Sequence, residues 1–264
     1  MNAIDIPILS VIGSYALLIF PLSILLWYRI PIVSTAIIAV IRMSVQLLFV
    51  GFYLQVVFNL NNFLLNAAWL IAMVVVADVS VLRHCRLKMK RLIYPLFASI
   101  LIGTAIPTLF FLGPILHRPQ LLDAQYAIPI AGMILGNCLR ADIIGIGGFY
   151  RSLRDNDKAF QHALAQGAKL QEACRPFMKD AFQAALAPFI ATMATVGLVS
   201  LPGMMTGVIL GGADPMTAIK YQIAIMIAIF TGTAITLFLA VRMTLKSSFD
   251  TYGNLDRGMF KLNP

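Results

Sequence analysis

The 264-residue chain predicts an all-α membrane protein, a polytopic bundle of about seven transmembrane helices with its N-terminus outside and its C-terminus inside. Three observations carry this. Hydrophobic residues make up 60% of the chain and charged residues only 12%, against about 25% charged in an ordinary soluble domain. Uncharged runs such as 6–28 and 221–241 are each long enough to cross a hydrocarbon layer of ~30 Å. These runs lack the period-two alternation of a membrane barrel, and lipid offers no partner for free backbone groups, so the spans are helices.

Taken in order, the spans are 6–28, 31–58, 63–82, 92–112, 125–149, 182–208 and 221–241. The first is a retained helix, because residues 1–5 carry no basic group and no small-residue cleavage site follows the apolar run. As one helix, 31–58 would run ~42 Å, beyond the apolar thickness, so its first part is expected along the interface. Arg83, Arg86, Lys88, Lys90 and Arg91 cluster in one connection, and Arg151, Arg154, Lys158, Lys169, Arg175 and Lys179 in another. The alternate connections, 59–62, 113–124 and 209–220, carry little positive charge, which makes the basic loops cytoplasmic; Arg242 and Lys246 agree. One transmembrane domain, 1–243, includes the cytoplasmic segment 151–181 and is followed by a short tail, 244–264. The net charge of +9 belongs to loops between spans and does not point to nucleic acid.

Ionisable groups inside spans cost at least ~2.5–3.5 kcal/mol at a helix centre, so each asks for a reason. Arg42, Asp78, Arg140 and Asp142 all fall in the inner half of their spans. Snorkelling to the headgroups accounts for Arg42 and Arg140; a pathway role is the alternative. Arg42 and Gln46 share a helix face one turn apart, as befits a helix lining a cavity or touching a partner. Asp78 and Arg140 sit at matching depth for a cross-helix pair, structural or functional. Two stretches rich in Pro and Gly predict broken or closely packed helices: 128–137, with Pro129, Gly132, Gly136 and Asn137, and 200–212, with Pro202, Gly203, Met204, Met205 and Gly207.

Catalytic and cofactor signals are missing. His84, His117 and His162 are scattered, and Cys85, Cys138 and Cys174 have no C-x-x-C spacing. No Walker A, G-x-S-x-G or H-E-x-x-H pattern occurs, so the chain is expected to be no enzyme and to bind no cofactor. The stretch 158–182 reads as an amphipathic helix interrupted at Gly167, suited to a membrane surface or a groove in a soluble partner.

Several motifs resemble the FetB (YbbM) family of bacterial ABC-transporter permeases: Arg42-x-x-x-Gln46-Leu47-x-x-x-Gly51, Ile128-Pro-Ile-Ala-Gly-Met-Ile-Leu-Gly-Asn137, Gln166-Gly-Ala168, Thr195-Val-Gly-Leu-Val-Ser-Leu-Pro-Gly-Met-Met-Thr-Gly207 and Gly212-Ala-Asp-Pro-Met-Thr-Ala-Ile-Lys-Tyr-Gln-Ile223. The resemblance covers roughly 31–241. It implies a permease in the bacterial inner membrane that works as a homodimer with a separate ATP-binding subunit, where ATP and Mg reside. Bacterial relatives are described as probable iron exporters, and plant relatives are linked to aluminium tolerance and sugar-nucleotide transport. Phe160, Ala163, Leu164, Gly167 and Ala168 are then the expected coupling residues, and Arg42, Gln46, Asp78, Asn137, Arg140, Asp142, Pro202, Met204 and Met205 the candidates for the pathway or for buried polar structure. An ATP-independent carrier or channel, or an ABC permease for another substrate, is the alternative.

Overall fold

The computed structural model describes residues 6–117, 122–249, 255 and 258, and the described residues contain no β-strand. The predicted tail beyond 249 lies outside them apart from Leu255 and Gly258. The first apolar run forms α1 (Ile8–Ser14) and α2 (Ile19–Trp27), joined through a 3-10 turn, Tyr15–Leu18. Helix α3 (Val33–Leu60) is continuous over 28 residues, which corrects the expectation of a separate interfacial piece. With apolar side chains predominating and no Pro to stop it, the helix continues through the whole run.

Two asparagines set the next turn. Asn61 caps α3 in the left-handed region (φ 37°), where Asn is tolerated, and the Asn62 carboxamide oxygen accepts from Leu64 N at 2.9 Å to start α4 (Phe63–His84). The side-chain oxygen of Asn61 also accepts from Ala124 N at 3.0 Å, and Asn66 donates to Leu122 O at 2.8 Å. This turn is thereby pinned to the start of α6. Helix α5 (Met89–Phe110) ends in a π-turn, Phe111–Ile115, containing Pro114. Helix α6 (Ala124–Asp155) runs unbroken over 32 residues through Pro129, Gly132 and Gly136, so this Pro/Gly stretch is not a break.

Residues 157–165 form α7 (Asp157–Ala165), and Gly167, at φ 90°, turns the chain into α8 (Leu170–Thr195). The expected continuous span 182–208 is instead a broken one. Val196 is extended, Gly197 has φ 89° and donates to Ser200 O at 2.9 Å, and Pro202 opens α9 (Gly203–Leu210). Proline lacks an N–H and glycine tolerates the left-handed turn, so this Pro/Gly stretch does interrupt the helix. Helix α10 (Pro215–Ser248) closes the chain, capped by Asp214, whose carboxylate accepts from Thr217 N at 3.1 Å.

Among the described residues, six helical segments are long and apolar enough to cross a membrane: 8–27, 33–60, 63–84, 91–115, 124–155 and 215–245. Helix directions add a seventh crossing. Gly232 of α10 lies against Ile134 of α6, and Ser248 against Tyr150, so α6 and α10 run parallel. The chain must therefore return across the layer between them. Helix α8 does so, antiparallel to α6, with Ala185 beside Gly145 and Phe189 stacked on Phe230; its 26 residues span ~39 Å. The core lies among α4, α5, α6, α8 and α10, with Leu82, Leu96, Ile146, Cys174 and Leu237 buried at its centre. The arm formed by α1 to α3 stands apart: of its helical residues only Val57 is buried.

Candidate functional site

Two sequence motifs nearly ninety positions apart meet at one cleft. Between α3, α4 and α6 lies a cavity of about 480 Å³ lined by Gln46, Phe49 and Val50 from α3, Trp69, Met73 and Ser80 from α4, and Gly132, Gly136 and Leu139 from α6. Gly132 lies close to α4, where a methyl group would sit 3.3 Å from Met73 Cε, whereas Gly136 borders open space. Gln46, one turn from the exposed Arg42, presents an amide; Met73 offers a thioether and Ser80 a hydroxyl. Among the described residues no group of three or more His, Cys, Asp or Glu side chains is placed to hold a metal ion. The polar groups here are few and dispersed and do not form a metal cage.

The other candidates are spread over the bundle. Asn137 donates to Met133 O at 2.8 Å, within its own helix. Pro202 starts α9, and Met204 packs against the cluster around Phe111 and Ile225, while Met205 is half-buried. Asp78 and Asp142 are buried, and among the described residues neither carboxylate oxygen of either has a hydrogen-bond partner. Thr236 faces Asp142 from α10, but its hydroxyl donates to Thr233 O at 3.1 Å. The expected Asp78–Arg140 pair is not formed. Arg140 lies on the exposed side of α6, whereas Asp78 shares the inward stripe of α4 with Val74, Ala77 and Val81.

The α7–α8 elbow is clamped to the core. Phe160 is buried and packs edge-on against Phe177 with ring centroids 6.4 Å apart, and against Phe249 at 5.5 Å; Ala163, Leu164 and Ala168 are packed on the same cluster. Gly167 alone of the five expected coupling residues is open, with nothing within 4 Å of a built Cβ. Sequence reading missed the buried hydroxyl seam along α5 and α10: Thr104, Thr108, Thr233, Thr236, Thr244 and Ser248. Most of these back-bond to a carbonyl one turn earlier, and Tyr150 meets Ser248 at 2.7 Å. Hydroxyl recurrence in an apolar run was the available signal.

Crossing helices, an inward small-residue seam and a mid-span cleft define a multi-pass helical membrane protein. The chain belongs to the family described as "Uncharacterised protein family (UPF0014)", which it matches over residues 8–249. It is 32% identical to "UPF0014 membrane protein slr1647" of Synechocystis, over 81% of this chain and 83% of that protein. Identity is 30% to "Probable iron export permease protein FetB" of Escherichia coli, over 80% of each chain, and 37% to "Protein ALUMINUM SENSITIVE 3" of Arabidopsis thaliana, over 80% of this chain and 77% of that one. No solved structure matches. A multi-pass location in the inner membrane fits the bacterial relatives.

Proposed function

We propose that this chain is the membrane-spanning subunit of an ABC exporter for a metal ion, iron first, working as a pair with a separate subunit that binds ATP and Mg. The observation that supports it best is the cleft. Gln46 of one motif faces Gly132 and Gly136 of the other across a boundary between a well-packed bundle and an arm with one buried helical residue, where opening disturbs little packing. Two relatives carry metals in their names, which sets the substrate class to test. The basic loops and the elbow are taken as cytoplasmic. Motion imposed at Gly167 would pass through Phe160 to Phe177 of α8 and Phe249 at the end of α10.

The test is ferrous iron transport by vesicles holding the chain and its ATP-binding subunit, run against other metal ions and sugar nucleotides, with and without ATP. ATP-dependent flux of a metal ion is expected, and Gln46→Leu should lower it while leaving the protein monodisperse. Because Gly167 has positive φ, any bulky residue there is strained on its own account. Gly167→Asn, which tolerates that backbone, should keep coupling, and Gly167→Trp should abolish subunit capture and ATP-dependent flux. Flux that persists without ATP would replace the reading with a carrier, and flux of sugar nucleotides alone would remove the metal.

A further inference from the structure

A second cleft lies at the basic end of the bundle, between the start of α8 and the end of α10. It encloses about 410 Å³ and is lined by Gln171, Glu172, Arg175 and Met178 on one wall and Phe238, Arg242 and Leu245 on the other, with Leu170 at its edge. Arg175 and Arg242 are exposed, and among the described residues neither makes a hydrogen bond or ion pair. The one carboxylate of the lining, Glu172, is engaged by Lys169 N at 2.8 Å. Among the described residues, two positive charges therefore face one space against a single carboxylate, which is held back at the start of α8, so the lining keeps a net positive charge.

We propose that this cleft binds an anionic phospholipid, its phosphate between Arg175 and Arg242 and one acyl chain along Phe238 and Met178. Guanidinium forks match phosphate oxygens, and basic pockets between transmembrane helices take anionic headgroups. The order of groups along both walls selects a lipid over an acidic peptide. Phe238 and Arg242 are four apart on one face of α10, with the apolar residue deeper in the membrane. On α8, which runs the other way, Arg175 precedes Met178, so the apolar residue is again the deeper one. A peptide carboxylate would answer the arginines and leave Phe238, 46% exposed on a crossing helix, at a depth only an acyl chain reaches. The bound lipid would join α8 to α10, the two helices on which the elbow rests.

The full chain in detergent, supplied with phosphatidylglycerol or phosphatidylcholine, tests this by native mass spectrometry and by thermal midpoint. Wild type should retain phosphatidylglycerol in preference to phosphatidylcholine and melt at higher temperature with it. Arg175→Gln/Arg242→Gln should weaken retention about thirtyfold, while Arg175→Lys/Arg242→Lys should keep most of it. Arg83→Gln/Arg151→Gln removes the same charge from the same end, outside the cleft, and should leave retention unchanged. Should the double glutamine variant fail to fold, each single variant is expected to show about a fivefold loss. Equal loss in the cleft and control variants would reduce the effect to general attraction and overturn the site. So would displacement of phosphatidylglycerol by millimolar inorganic phosphate, which would mark a site for the free anion, or equal retention of both lipids. Capture of an acidic peptide in place of lipid would hand the cleft to a protein partner.

Discussion

The arm α1 to α3 and the bundle α4 to α10 are equally membrane-like by composition and opposite in packing. The most apolar stretches of 8–27 and 33–60 contain no buried residue, whereas half of the corresponding stretches of 91–115 and 124–155 is buried. The least apolar of the six candidate spans, 124–155, is among the most buried, and 215–245, the most apolar, is 44% buried. Apolarity says that lipid will accept a helix; small residues say that another helix will. Gly145, Gly232 and Ala185 let α6, α8 and α10 approach, and Gly103 seats α5 on Thr236. In the arm, Gly13 and Gly51 face open space, and a groove of about 960 Å³ separates α1 from α3. A well-packed body with a loosely attached arm is what a moving gate requires.

The largest expected effect tests this contrast directly. A methyl group on Gly103 would lie 2.8 Å from Thr236 N, and one on Gly232 3.0 Å from Gly103 O, so backbone must shift in both cases. Gly103→Val and Gly232→Val should each cost more than ~3 kcal/mol and yield little monodisperse protein. Gly51→Val should stay within ~0.5 kcal/mol of wild type in thermal midpoint. Equal losses in arm and bundle would show that the arm is packed as tightly as the core.

The contrast also explains what could be read in the sequence. The predicted span 63–82 falls within Phe63–His84, because long apolar runs bounded by Asn62 and by a basic cluster mark both ends. The predicted 125–149 falls short of Asp155, since Arg151 and Arg154 look like loop residues until their helix is seen to pack through Tyr150 and Leu153. Gly167 was legible as an interruption because positive φ selects glycine. That Phe160, Leu164 and Ala168 turn inward was not, because an amphipathic stripe has the same period whether it meets a partner or the chain's own core. Nor was the cleft, whose lining residues depend on which faces of three separate helices meet.

Thiol chemistry gives the next effect. Burial, with a smaller push from Asp142, raises the Cys85 thiol to about 12, and Cys174 is buried in α8. A raised value keeps the Cys85 thiol protonated and slow to react, and burial keeps reagent from Cys174. Cys138 is buried outright. An impermeant maleimide should therefore label none of the three in intact or in permeabilised membranes, whatever the orientation, until the protein is denatured. Ile32→Cys, in the exposed turn of the arm, should label readily from the side of the basic loops. Labelling of Cys174 at a matching rate would mean that the elbow is open.

A matched pair of tyrosine–serine contacts is expected to differ by ~0.5–3 kcal/mol, about twofold to a hundredfold in equilibrium terms. In the bundle, Ser248 donates to Thr244 O at 2.7 Å, so the Tyr150 hydroxyl donates to Ser248 Oγ; both side chains are buried. Ser248→Ala strands that hydroxyl and should cost ~1–3 kcal/mol. In the arm, Tyr15 contacts Ser44, which donates to Val40 O at 2.9 Å, but the contact is exposed. Ser44→Ala should cost at most ~0.5 kcal/mol. Thermal unfolding of the two variants in one detergent makes the comparison.

The smallest effect is expected inside the bundle, at a residue that behaves like the arm. Were Arg140 paired with buried Asp78, Arg140→Leu would leave an uncompensated charge and cost ~3–5 kcal/mol, and Asp78→Asn would rescue it. Arg140 instead points outward two residues from Asp142, and the Asp78 oxygens have no partner for its loss to remove. Arg140→Leu should therefore change stability by no more than ~0.5 kcal/mol, and its combination with Asp78→Asn should be additive within a similar margin. Unfolding of the two single variants and the double variant measures the coupling term. A rescue of ~1 kcal/mol or more would bring the two side chains together and turn that face of α6 toward α4. Additivity would leave each buried carboxylate to be explained by its own surroundings: Asp142 facing Thr236 of α10, and Asp78 among the inward apolar residues of α4.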